Sequence, residues 1–75
     1  MSYFLVIYDR SAGRLRELRE FGASERAVAY VERDRVEAAK EPTVEVVLLQ
    51  AASRSDAERT HGRYFRSLSG LADSA

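Results

Sequence analysis

Residues Tyr3-Phe4-Leu5-Val6-Ile7-Tyr8 form an unbroken run of large apolar and aromatic side chains, closed by Asp9-Arg10. In a strand, successive side chains point to opposite faces, so Tyr3, Leu5 and Ile7 look one way and Phe4, Val6 and Tyr8 the other. Both faces are apolar. Such a strand belongs in the middle of a sheet with cover on each side, because an edge strand with one wet face alternates with polar residues. The rest of the chain must flank this run on two edges and cover it on two faces.

The residues that follow supply the first flank. Asp9-Arg10-Ser11-Ala12-Gly13 has the chemistry of a hairpin loop: an Asp that can cap backbone N–H groups, then a Gly free to take positive φ. The returning segment is Arg14 to Phe21. Its Leu15, Leu18 and Phe21 recur every three residues, which also suits a helix. The turn chemistry favours a strand, and charges at Arg14, Arg16, Glu17, Arg19 and Glu20 suit an edge that discourages strand-to-strand aggregation.

Gly22-Ala23-Ser24 breaks that strand. Ser24 is a suitable N-cap, Glu25 sits in the first turn, and helical composition runs to Lys40 before Glu41-Pro42 stops it. On a helical wheel Ala27, Val28, Val31, Ala38 and Ala39 form one narrow stripe with Arg35 inside it and Tyr30 and Asp34 at its rim, and this stripe is expected to face the sheet. Val44 to Leu49 then reads as a third strand by its β-branched content. Placing it beside the first strand makes Tyr3–Tyr8 central. The expected fold is therefore α+β, a three-stranded antiparallel sheet of order 2-1-3 with topology β-β-α-β-α, in one small domain over 1–75.

Ser55-x-x-Glu58 resembles a capping box opening a second helix. Its wheel places Ala57, His61, Tyr64, Phe65, Leu68, Leu71 and Ala72 on one side and Arg59, Arg63 and Arg66 on the other. This helix is expected to reach at least Leu68 and to fray over 70–75. Gly62 offers a break that would turn Tyr64-Phe65 into a hook.

Composition removes several functions. The chain has 75 residues and no cysteine, so disulfides, thiolate zinc sites and cysteine nucleophiles are excluded together. One histidine and scattered carboxylates give no ligand set at metal spacing, and the isolated glycines match no phosphate-binding loop, so neither metal nor cofactor is expected. Twelve basic and twelve acidic residues balance to zero, leaving no global field to attract nucleic acid or an anionic membrane. No run approaches the roughly 20 apolar residues of a membrane span, and no basic segment precedes the first strand. A cytoplasmic protein is expected.

Three candidate surfaces follow. The face of Phe4, Val6 and Tyr8 needs cover opposite the first helix, and His61, Tyr64, Phe65 and Leu68 form the remaining apolar stripe, which either folds back onto its own sheet or crosses to a partner. A two-fold dimer built from these residues would enlarge a small core, so a homodimeric interaction module without catalysis is the leading reading. The alternative is a nucleic-acid contact through Arg59, Arg63 and Arg66, extended by Arg10 and Arg14; three charges make a weak footprint. The third is a small ribonuclease or toxin-like enzyme with His61 as general base. On a continuous helix, however, His61 faces away from the arginines.

The outline Y-F-L-V-I-Y-D-R-x-x-G-x-L near the start and T-H-G-R-Y-F near the end resembles a set of short, uncharacterised proteins of high-GC actinobacteria. Eleven arginines against one lysine accord with a GC-rich genome. The resemblance implies no activity, and no functional residue is carried over from it.

Overall fold

A computed structural model describes residues 1–65. Strand β1 (Ser2–Asp9) turns into β2 (Arg14–Phe21), a single 3-10 turn at Ala23–Glu25 leads into helix α1 (Arg26–Ala39), and β3 (Val44–Ala51) precedes helix α2 (Arg54–Thr60). The sheet has the order β2-β1-β3 and both pairings are antiparallel, so the apolar run is central. The hairpin forms as its chemistry requires. One Asp9 carboxylate oxygen accepts from the Ser11 and Ala12 N–H groups at 3.0 and 3.1 Å and from the Ser11 hydroxyl at 2.7 Å, and Gly13 takes φ +65°.

The three-residue spacing in β2 has a specific cause. From Tyr3↔Phe21 to Ile7↔Glu17 the register is regular, but Tyr8 then faces Leu15, leaving Arg16 as an extra residue. This β-bulge resets the alternation. Leu15 and Leu18, an odd number of positions apart, consequently both pack on the Phe4 and Val6 side. The helix-like Leu15–Leu18 spacing is here the signature of a bulged strand, whereas Phe21, opposite Tyr3, lies on the other face.

The two faces of β1 are covered differently. Phe4 and Val6, both fully buried, join Leu49, Ala51, Ala57, Tyr64 and Phe65 in one cluster. On the other face Leu5 is fully buried, Tyr3 and Ile7 nearly so, and the Tyr3 ring meets Tyr30 of α1 edge to face at 6.5 Å.

Helix α1 is rotated from the expected phase. Ala29 is its one buried residue, whereas Val28 and Val31, assigned inward by the wheel, are 52% and 66% exposed, and Ala27, Ala38 and Ala39 are exposed too. The sheet surface explains the rotation. The β2 part of this face carries Glu17 and Arg19, and α1 answers with Glu32, whose carboxylate lies 3.9 Å from Arg19. The small Ala29 then allows close approach, and Val36 follows it two turns later on the same side.

The helix starts also shift. Ser24 does not cap; Glu25 reaches back to accept from the Gly22 N–H at 2.8 Å, and α1 begins one residue later. Ser53, not Ser55, caps α2, accepting from the Asp56 N–H at 3.2 Å. An extended Ser53 follows directly from the end of β3, which leaves Ser55 inside the first turn.

Candidate functional site

The largest departure from the expected second helix is at His61. Helix α2 ends at Thr60, His61 takes φ −123° and ψ 44°, and helical conformation resumes over 62–65. The His61 N–H donates to the Ala57 carbonyl at 2.8 Å, and its own carbonyl accepts from the Tyr64 N–H at 3.1 Å. The break swings Tyr64 and Phe65 onto the sheet, where they are 7% and 3% exposed. Thus the Phe4 and Val6 face, for which the sequence left open cover by the chain itself or by a partner, is covered by the chain's own Tyr64 and Phe65. Leu68 and Arg66 lie outside the described residues.

Tyr64 is held by groups the sequence did not connect. Its hydroxyl donates to the Glu45 carboxylate at 2.6 Å, its ring meets Tyr8 edge to face at 5.6 Å, and the Arg63 guanidinium stacks 4.9 Å from the ring centre while lying 3.4 Å from Glu45. Burial, reinforced by the bond to Glu45, raises the Tyr64 pKa, so the phenol stays protonated. This cluster is an anchor. Glu45 was hidden because it lies inside an otherwise apolar strand, and only the Glu45↔Tyr8 register brings it to Tyr64.

Arg59 and Arg63 are not on one continuous helix. Arg59 belongs to α2 and pairs with Asp56, whereas Arg63 follows the break and pairs with Glu45. Arg10 is at the hairpin loop, donating from its side chain to the Pro42 carbonyl at 3.3 Å, and Arg14 opens β2 opposite Asp9. His61 is half-exposed, not part of a core, and its ring has no hydrogen-bond partner among the described residues. A groove of about 350 Å³ between α1 and β2 gathers Arg16, Arg19, Arg35 and Lys40. Acids answer three of these cations: Glu41 lies 3.7 Å from Arg16, and Glu32 lies 3.9 Å from Arg19 and 2.9 Å from Arg35. No cluster of three or more metal-ligating side chains occurs among the described residues, and no described helix is long and apolar enough to cross a membrane.

No protein-family model matches the chain, and no curated protein or solved structure matches it. Function must therefore be argued from its own surfaces.

Among the described residues, the outer edge of β3 presents unmet bonding capacity. The Arg10 N–H donates to the Thr43 carbonyl at 2.9 Å, and Arg10↔Thr43 is the next pair beyond Asp9↔Val44. Hydrogen-bonded pairs alternate along an antiparallel ladder. Tyr8↔Glu45, Val6↔Val47 and Phe4↔Leu49 are therefore the bonded pairs, and Val44, Val46, Leu48 and Gln50 aim their N–H and C=O groups outward. The Val44 N–H is taken by the Glu41 carbonyl at 3.0 Å. The outward groups of Val46, Leu48 and Gln50 have no partner among the described residues.

The two edges differ. β2 carries five charges and a bulge, devices that block further pairing. β3, V-E-V-V-L-L-Q-A, carries one charge, no proline and no bulge. Sequence reasoning passed over this edge by treating the strand only as a flank; its low charge beside the high charge of β2 was the available signal.

Proposed function

We propose that this chain is a non-catalytic protein-interaction module whose contact surface is the edge of β3, to which a partner adds a strand. The observation that carries this reading is the row of outward N–H and C=O groups at Val46, Leu48 and Gln50, flanked by apolar side chains on an unbulged strand. Main-chain hydrogen bonds supply affinity in strand addition, and alternate side chains supply selectivity. Exposed ladders of this kind are templates that proteins leave open only where pairing is used or tolerated. The charged β2 edge is closed to the same event, so addition is one-sided and does not propagate.

Site-specific photo-crosslinking tests this in cells producing the full chain. Gln50 is exposed at the β3 edge, and Glu20 is exposed on β2 as a control. A benzoylphenylalanine in place of Gln50 is expected to give a discrete adduct, and one in place of Glu20 is not. Equal adducts at both positions, or none at Gln50, would overturn the reading.

A further inference from the structure

We infer that the strand added to β3 is β3 of a second copy, forming a two-fold dimer with one continuous six-stranded sheet; this rests on the strand-addition reading above. An edge pairs with itself in antiparallel fashion about a two-fold axis normal to the sheet, so the same groups must be donor and acceptor on both sides. The outward residues meet that condition when the axis passes through Leu48. Leu48 then faces Leu48 of the partner subunit, and Val46 faces Gln50 of the partner subunit in both directions. Each of these pairs joins residues whose groups all point outward, and each exchanges two N–H···O bonds. Every open group at Val46, Leu48 and Gln50 is thereby used.

Charge disfavours a competing register. Glu45 is the one charged side chain on β3. Centring the axis on Val46 would bring the two Glu45 side chains into diagonal proximity, and like charges in near cross-strand positions repel. Centring it on Leu48 places each opposite an Ala51 and separates the two carboxylates by several residues. Glu37 lines a cleft with Val44, Glu45 and Val46, so the flank of α1 bearing Glu37, Tyr30 and Arg33 overlies the β3 side. An axis normal to the sheet keeps both α1 helices on one face and runs them antiparallel.

Two measurements test this together. The wild-type chain is expected to sediment at twice its 8.5 kDa. Because the native chain has no cysteine, single substitutions report the register cleanly. Cα atoms of a bonded antiparallel pair lie about 5.5 Å apart, within disulfide range, whereas those of Val46 in the two copies would be separated by four strand positions. Under mild oxidation Leu48→Cys is expected to form linked dimer on the order of tenfold faster than Val46→Cys, reflecting its effective concentration. Equal rates in a dimeric protein would overturn this pairing. A monomer at all concentrations that still gives a Gln50 adduct with another protein would overturn self-pairing and leave strand addition standing; a monomer without any adduct would remove both.

Discussion

The Tyr64 hydroxyl donates a 2.6 Å hydrogen bond to the Glu45 carboxylate, tying the segment after the His61 break to a strand nineteen positions earlier. The bond fixes what covers Phe4 and Val6.

Tyr64→Phe removes the donor while keeping the ring against Tyr8. Glu45 is partly exposed and retains Arg63 nearby, so the expected loss is about 1 kcal/mol in urea unfolding, with little change in slope. The wild-type pH dependence has a defined sign. The Tyr64 pKa is raised in the fold, so its contribution is complete below the ordinary phenol value and is lost as pH rises through the higher folded value, above about pH 10. Tyr64→Phe should flatten that alkaline limb.

The hairpin should respond to acid in the opposite sense. Hydrogen bonds from the Ser11 side chain and the Ala12 N–H hold the Asp9 pKa below the ordinary carboxylate value. Its contribution is present above that value and is lost as pH falls through the lower folded value, so Asp9→Asn should reduce the acid sensitivity of unfolding. In the same loop Gly13→Ala is expected to cost about 1–2 kcal/mol because its φ is +65°. Gly62→Ala meets open space at negative φ and should stabilise by up to about 1 kcal/mol. Thermal unfolding of the pair should move in opposite directions.

The α2 cap separates two serines two residues apart. Ser53→Ala should cost about 1 kcal/mol by removing the acceptor for the Asp56 N–H, and Ser55→Ala should change stability by only a few tenths. Chemical unfolding of both variants checks the assignment.

The main topology was legible in the sequence because it rested on features that tertiary contacts do not override. A run apolar on both faces requires the centre of a sheet, and Asp9 with Gly13 requires a tight return, so the strand order followed from Tyr3–Tyr8 alone. The phase of α1 was not legible. A wheel treats Val28 and Val31 as the inner face, but the sheet opposite carries Glu17 and Arg19, and their positions depend on a bulge at Arg16 that shows in sequence only as a three-residue period. Of the two readings of the second helix, the break beside Gly62 that turns Tyr64-Phe65 into a hook is the one the structure takes, at His61. Burial of Tyr64 and Phe65 outweighs one unbroken helical turn, and Glu45, which holds Tyr64, is remote in sequence. The β3 edge was legible in principle from charge contrast, but its outward groups emerge only from the bonding parity fixed by Arg10 and Thr43.

Nucleic-acid binding through Arg59 and Arg63 is not expected, since each is paired with an acid and the break at His61 separates them. Titration of labelled DNA or RNA at low salt should show no association that Arg59→Glu with Arg63→Glu abolishes; such a loss would restore the arginine surface as a functional site.

Hydrogen exchange along β3 tests self-pairing most directly, because alternate amides report different events. The amides of Glu45, Val47 and Leu49 bond to β1 and should exchange slowly at every protein concentration. Those of Val46, Leu48 and Gln50 point to the open edge. Self-pairing at Leu48 predicts that their exchange slows as concentration rises, in step with the sedimenting dimer. Fast exchange of these three amides at concentrations where the protein is fully dimeric would contradict it.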